Sequence, residues 1–514
     1  RAGGNAMDAA IATQMVLNFV DPHSSGLGGG GFLLYWDAAE KRLYTYDGRE
    51  TAPLAATENR FMKEDGSPMR WPDAVGTGYA VGTPGLVAML EQAHQAHGKL
   101  PWDKLFIRAA TIAAEGFGVS PRLSALLQQM GADKFSKEAR DLFFDEQGEA
   151  RPLGYVLRIP TLAASLKAIA RDGSNALHQG SIAQGIVAAA REEGGDATIT
   201  LEDLDNYRAI SREPVCIDYR GYKVCGMGPP SSGALTVAQT LGMLKDHNLG
   251  SEPNAAAMHL LIEAVKLRSA DRNHYFADPD PQSVPAGMLD PVYLATRAQL
   301  IDPAKPMEKA APGNPPQVGK PPGQDATKEA PGTTHISIVD EKGNAVSTTN
   351  TIESAFGSRR MVAGFLLNNE LTDFSFRPQD EDGRLVANRP GPGKRPRSSM
   401  APTMVFDKSG KLWAVLGSPG GSRIILYVVK ALVAMIDWNM TPEQAAALGT
   451  FGSRNGPAEL ESSPDMDVFA SVLAAMGHEV ARPSMTSGLH IVRILPDGFQ
   501  GGADPRREGI AIGD

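Results

Sequence analysis

Only two cysteines occur in the 514-residue sequence, so neither a disulfide-stapled mini-scaffold nor a cysteine-rich metal domain is open to it. Long apolar runs are missing too. The stretch 426–436 is interrupted by Lys430 and falls short of the roughly 20 residues that a membrane-spanning helix needs. Basic charge is not in excess. Lys and Arg number 50 against 59 Asp and Glu, a formal charge of -9, which argues against a general nucleic-acid binder and points to small-molecule partners. The HExxH zinc signature and the GxSxG nucleophile elbow are both absent. What remains is an ordinary globular composition, 42% hydrophobic and 21% charged, long enough to bury a substantial core.

Three local patterns suggest chemistry but have simpler readings. Gly26-Leu27-Gly28-Gly29-Gly30-Gly31 satisfies G-x-G-x-x-G, yet it leads into Phe32-Leu33-Leu34-Tyr35 rather than into a helix whose N-terminus could hold a pyrophosphate; close backbone packing explains it better. Glu91, His94 and His97 share one helix face at a spacing that could ligate a metal, but the surroundings read as a polar, solvated surface. Lys394-Arg395-Pro396-Arg397 reads as a solvated basic loop.

Apolar spacing predicts a helix over 4–20, strands over 32–37 and 43–46, and a helical middle at 85–97, 102–116, 159–171, 181–192, 233–246 and 255–275. The second half is richer in strands, at 333–340, 344–351, 361–367, 401–407, 411–416, 478–482 and 488–495, with helices at 422–437, 441–449 and 465–476. A two-residue Arg220-Gly221 turn would set Cys216 opposite Cys225 in a non-hydrogen-bonded hairpin pair. That spacing allows a disulfide and hence an oxidising compartment; two buried free thiols are the alternative. The chain starts at Arg1 in the lead-in to a helix, so the natural N-terminus and any signal peptide are expected to lie outside it, with a periplasmic or secreted location.

Between the halves, eight prolines from Pro303 to Pro331 alternate with Gly, Lys and Ala, a composition expected to form a linker or processing segment rather than a packed element. The strand-like run Thr333-Thr334-His335-Ile336-Ser337 follows at once. Cleavage of the Gly332–Thr333 bond would give Thr333 a free α-amine beside its own hydroxyl. Such an amine titrates near ~8, low enough to act as a base at neutral pH where lysine, near ~10.4, would not. Gly417-Ser418-Pro419-Gly420-Gly421, between an apolar strand and a helix, could aim two backbone N–H groups at one oxyanion.

Thr333-Thr334-His335, Asn368-Asn369-Glu370 through Asp373, Arg397-Ser398-Ser399 and Gly417 to Gly421 occur in an order that resembles the γ-glutamyltranspeptidases. Ser24 to Phe32 and Tyr46-Asp47-Gly48-Arg49-Glu50 extend the resemblance, which runs from Arg1 to Gly502-Ala503-Asp504-Pro505-Arg506. It implies the α+β, four-layer αββα sandwich of N-terminal nucleophile hydrolases. It implies a precursor cut between Gly332 and Thr333 into a large piece, 1–332, carrying the Pro-rich linker 303–332, and a small catalytic piece, 333–514, which together form one globular unit. On that resemblance Thr333 is the nucleophile, Thr351 orients it, and Gly420 and Gly421 bind the oxyanion. Arg49, Ser398 and Ser399 receive the substrate's α-carboxylate, and Glu370 and Asp373 its ammonium. No cofactor or metal is called for. The implied activity is transfer of γ-glutamyl groups, as from glutathione, to water or to amino acids and dipeptides.

Two departures stand out. Glu353 replaces an Asn of well-known members and Glu370 a frequent Gln, so three carboxylates would face one ammonium, and one of them should hold a proton. The stretch 374–397, which corresponds to the family's lid, is shorter and has no aromatic between Phe376 and Ser398, which implies access for larger acceptors. The competing readings are a glutaryl or cephalosporin acylase on the same nucleophile, and an uncut binding protein.

Overall fold

The computed structural model describes residues 2–192, 195, 198–280, 284–316, 321–327 and 329–513. Positions 317–320 and 328 of the Pro-rich stretch lie outside the described residues.

Period-two apolar alternation builds antiparallel strands, and close turns set their registers. Strands β1 (Gly30–Asp37) and β2 (Arg42–Asp47) form a hairpin, and β3 (Ile210–Arg212) pairs on β2. Strands β4 (Val215–Tyr219) and β5 (Tyr222–Gly226) turn through Arg220 and Gly221, whose φ of 53° and 84° are the two positive values that a type I′ turn requires. Cys216 faces Cys225 across this hairpin, and the two are joined by a disulfide.

After residue 332 come β6 (Thr334–Val339), β7 (Ala345–Thr351), β8 (Thr403–Phe406), β9 (Leu412–Gly417), β10 (His490–Leu495) and β11 (Gly498–Ala503). One sheet has the order β3-β2-β1-β7-β6, and the other β11-β10-β9-β8-β5-β4. Both sheets therefore contain strands from either side of residue 332.

The sheets pack face to face, with β9 against β6 and β7 and β10 against β6. Helices α1 (Ala6–Val20) and α2 (Leu86–His97) cover the outer face of the first sheet. Helices α3 (Gly233–Leu244), α4 (Ala255–Tyr275) and α5 (Ile424–Ile436) belong to the layer over the second, with α4 stacked on α3. The result is the four-layer αββα sandwich. Covering both faces of each sheet explains why β7, Ala-Val-Ser-Thr-Thr-Asn-Thr, is buried along its whole length despite five polar residues. Helix α5 is apolar nearly all round for the same reason, and its one cation, Lys430, donates to the Leu448 carbonyl at 2.5 Å.

The structure departs from the expected elements where glycine or brevity hides a strand. The last strand, Gly-Phe-Gln-Gly-Gly-Ala, forms β11 through its pairing with β10, although its own residues have poor strand propensity. The expected strand over 361–367 is a two-stranded ribbon, Met361–Val362 against Phe365–Leu366, because Ala363 and Gly364 take φ of 50° and 85° and reverse the chain. The described part of 303–332 has neither helix nor strand, but it is held down: Asp325 N–H bonds the Asn273 carbonyl, and Gly323 N–H the Leu385 carbonyl.

Candidate active site

The β6–β7 hairpin determines the geometry around Thr333. Its turn is clamped by Asp340, whose carboxylate accepts the N–H groups of Lys342 and Asn344. Register then pairs Thr334 with Asn350 and so brings Thr333 beside Thr351. The two Oγ1 atoms lie 3.0 Å apart, both buried. Thr333 N–H donates to the Ser24 carbonyl, 3.1 Å, which also accepts Ile352 N–H, and the Thr333 carbonyl accepts from Arg507. His335, neutral because burial drives its pKa well down, donates to or accepts from Thr349 and Ser337 and packs against Gly417, where any Cβ would collide with its ring. The third residue of Thr-Thr-His thereby ties β6 to the end of β9.

The backbone is strained at this junction. Thr333 has φ of 94° and Glu353, across from it, 77°, in the region where side chains other than glycine's are disfavoured. Gly332 passes so close to Glu353 that a Cβ would sit 1.8 Å from the Glu353 carbonyl oxygen. Only glycine fits there.

Beside the threonines, four buried carboxyls gather about one cation. Arg49 pairs through Nη1 with Glu370 and through Nη2 with Asp373 at 2.6 Å, and donates also to the Pro396 and Arg397 carbonyls. Burial alone would lower its pKa, but Glu370 and Asp373 raise it. Burial raises Glu370 well above the usual carboxyl range, Arg49 opposing and Glu50 and Glu353 reinforcing. It raises Asp373 in the same way, with Arg49 opposing and Glu329 and Glu370 reinforcing. Glu353 is raised well above it too, by burial and then by Asp373, although Ala330 N–H and Asn369 donate to it. Sequence reasoning assigned Arg49 to a carboxylate and Glu370 and Asp373 to an ammonium; here Arg49 is paired with both of those carboxyls. It also missed Glu50, which lies against Glu370 and is pushed up to about 8 by burial, Arg49 opposing. Its place directly after Arg49 was the only available signal.

Ser398, Ser399, Gly421 and the two threonines line the same cavity, which at about 20 Å³ has room for roughly one water. The residues before Thr333 fill it. Ser399 donates to Glu329, and the Ala330 carbonyl lies against Gly421, 2.5 Å from where a Cβ would be. Gly420 and Gly421 take φ of 137° and 60°, values open to glycine at this strand-to-helix turn. Ser398 is fixed by backbone contacts, its carbonyl accepting from Ser232 N–H and Oγ.

The other sequence patterns resolve differently. Gly28 and Gly29 would collide, through any Cβ, with the carbonyls of Leu366 and Thr351, and the run enters β1, so it serves close packing. Glu91, His94 and His97 do not converge: Glu91 accepts Ser174 N–H, His94 faces the Leu100 carbonyl, and His97 bonds Tyr46. The expected solvated loop at 394–397 is corrected, for Lys394, Arg395 and Arg397 are buried, and Arg395 pairs with Asp47 at 3.0 Å. Among the described residues, His259, Glu263 and His478 could approach one metal ion. Lys266 Nζ already lies 3.0 Å from Glu263, and the two imidazoles bond each other at 2.8 Å.

An αββα sandwich with a threonine at the head of a central-layer strand, beside a glycine-rich turn and a charged pocket, is the architecture of N-terminal nucleophile hydrolases. The family profile described as Gamma-glutamyltranspeptidase matches residues 1–514, and the chain belongs to that family. It is 37% identical to the glutathione hydrolase proenzyme of Escherichia coli (strain K12), over 98% of this chain and 87% of the relative. It is 34% identical to the acylase ACY 1 proenzyme of Pseudomonas sp. (strain V22), over 98% and 88%. Among solved structures, cephalosporin acylase from Bacillus halodurans superposes with a TM-score of 0.87 at 26% identity, over 99% of this chain and 91% of the other. The γ-glutamyltranspeptidase from Pseudomonas nitroreducens complexed with L-DON superposes at 0.56 with 36% identity, over 60% and 92%.

The Glu50 carboxyl offers a direct test. A carboxyl raised on folding contributes stability below its unfolded pKa of about 4.3, and that contribution is lost as pH rises through the folded value, about 8. Gln retains the neutral form. Thermal denaturation of Glu50→Gln should match the parent near pH ~4.5 and give a higher Tm above pH ~8.5; a difference independent of pH would contradict the assignment.

Proposed function

We propose that this chain cuts itself between Gly332 and Thr333 and then acts as a γ-glutamyltransferase and glutathione hydrolase through an ester on Thr333. The observation that carries the reading is the strained Gly332–Thr333 junction with Thr351 Oγ1 3.0 Å from Thr333 Oγ1. In maturation, Thr333 Oγ1 attacks the Gly332 carbonyl, the peptide C–N bond breaks as an ester forms, and water hydrolyses that ester, leaving Gly332 a carboxylate and Thr333 a free amine. Strain at φ 94° is relieved when the bond breaks. Pieces 1–332 and 333–514 stay together because each supplies strands to both sheets.

In turnover, the Thr333 amine takes the hydroxyl proton as Oγ1 attacks the γ-carbonyl, and hands it to the departing amine. Gly420 and Gly421 N–H groups hold the oxyanion. Water or an acceptor amine then releases the γ-glutamyl group. The donor's zwitterion inserts into the Arg49–Glu370–Asp373 cluster, its ammonium facing the carboxyls and its α-carboxylate facing Arg49, Ser398 and Ser399. The loop 374–397 borders an open cleft of about 640 Å³ near Trp71 and Arg377. A periplasmic or secreted location is supported by the Cys216–Cys225 disulfide. Among the described residues no helix is long and apolar enough to cross a membrane.

Acylase relatives keep a second reading in view, that of a glutaryl or cephalosporin acylase. A glutaryl group has no ammonium, and four buried carboxyls beside one arginine favour a substrate that brings a cation.

Intact mass of the purified parent should give two pieces and that of Thr333→Ala a single 514-residue chain without turnover; a persistent single chain in the parent would sink the maturation step. Against matched anilides, kcat/KM for the γ-glutamyl donor should exceed that for the glutaryl donor at least about tenfold, some 1.4 kcal/mol in transition-state binding; the reverse order assigns the acylase. Because Glu353 is raised, it ionises only as pH climbs, and only then attracts the ammonium. Donor KM in the parent should therefore fall as pH rises above the ordinary carboxyl range, and Glu353→Asn should flatten that fall. Superimposable KM profiles would remove Glu353 from the donor site.

A further inference from the structure

The turn after helix α1 carries a carboxylate that the reaction above does not use. Asp21 caps the helix, its N–H bonding the Leu17 carbonyl, and Pro22 follows it. A carboxylate at the negative end of a helix opposes the macrodipole, so helix stability does not account for it. A residue that breaks a local rule needs a tertiary reason.

Asp21 has one in β6. Its Oδ2 accepts the Thr334 hydroxyl, and its Oδ1 lies 2.8 Å from His23 Nε2. The Ser24 carbonyl accepts from Thr333 N–H, while Ser24 N–H returns to the Asp21 carbonyl at 3.1 Å. One turn of the stretch 1–332 thus grips the first two residues of 333–514. From near the end of the chain, Arg507 Nη1 donates to the Thr333 carbonyl at 3.2 Å, and its Nε and Nη2 donate to the Thr486 carbonyl. Burial would raise the Asp21 carboxyl, but His23, Thr334 and Arg507 together hold it below its usual range, so it is ionised at neutral pH.

The amine that a cut would free is two bonds from the carbonyl carbon that Arg507 holds. A guanidinium there disfavours a proton on the amine and weakens it as a base; a carboxylate does the reverse. On the cavity side, Thr333 faces Glu329 and Arg49 with its carboxyls. His490 bonds the His335 carbonyl at 2.8 Å, and Arg122 and Asp504 act on Arg507. Of these charges, Asp21 is the one that reaches both β6 and Arg507 from the larger piece.

We propose that Asp21 is a positioning residue for Thr333, holding Thr334 in place across the cut and offsetting the charge of Arg507 beside the new amine. The inference rests on the self-cutting, γ-glutamyl-transferring reading above. Asp21 acts through Thr334 and Arg507 and, among the described residues, is not one of those lining the cavity, so donor binding does not depend on it.

Asp21→Asn keeps an acceptor for the Thr334 hydroxyl but not the charge. Without that charge the amine holds its proton less tightly, and the basic form persists to lower pH. In cut Asp21→Asn, the rising limb of kcat against pH for γ-glutamyl anilide hydrolysis should therefore move to lower pH by about half a unit or more, while donor KM follows the parent's profile. A superimposable limb, a shift to higher pH, or a change confined to KM overturns the proposal. Competitive acetylation of the Thr333 amine with acetic anhydride, in cut protein without donor, should show the same displacement of the amine's titration; an unmoved titration overturns it as well. Should Asp21→Asn fail to fold or to be cut, Asp21→Glu, which keeps the charge, should be cut and should retain the parent's limb; an uncut chain or a displaced limb in Asp21→Glu overturns the proposal. If the cut parent turns over no γ-glutamyl donor, the activity reading fails by itself, and the acetylation titration still decides the role of Asp21. A parent that is never cut overturns both.

Discussion

The antiparallel register of β6 and β7 is the constraint on which the site depends. A slip by one residue would turn Thr351 to the opposite face and separate it from Thr333, because side chains alternate strictly along a strand. The register is over-determined. The Asp340 turn sets it at one end, β1 pairs along the whole of β7 and puts Gly30 opposite Thr351, and His335 wedges β6 against Gly417 of the neighbouring sheet. Such over-determination lets the chain hold Thr333 and Glu353 at unfavourable φ, since relaxing either would break pairing elsewhere.

Around that frame, electrostatics shape the pocket more than volume does. Burial raises Glu50, Glu353, Glu370 and Asp373 together, and a single arginine cannot neutralise four carboxylates. Protons must occupy part of the cluster until a cation arrives. Arg272 and Arg397, also buried, are paired with Glu329 and Asp325.

Much of the architecture was legible in the sequence because periodicity and turn chemistry act locally. The Arg220-Gly221 turn predicted the pairing of Cys216 with Cys225, and α4 spans the predicted 255–275. Glycine concealed β11, whose pairing comes from β10 rather than from its own residues, and the ribbon at 361–366 was concealed by a reversal at Ala363-Gly364. In the site, ordered motifs brought forward Thr333, Thr351, Arg49, Glu370, Asp373, Ser398, Ser399 and the Gly420-Gly421 turn, and the structure gathers them about one cavity or its rim.

By itself the sequence determined what local rules can encode: the strands and helices, the hairpin cysteines, the glycine that alone fits before Thr333, and a family whose motifs lie in order from end to end. Only the tertiary structure decided who pairs with whom among the buried charges. Lys394, Arg395 and Arg397 read as a solvated loop and are instead buried, and Arg49 is joined to the very carboxylates that had been set aside for an ammonium. The reason is physical. Ionic partnership depends on burial and on distance through space, and residues 272, 329 and 399 become neighbours only when a helix, the segment before Thr333 and a loop pack into one interior.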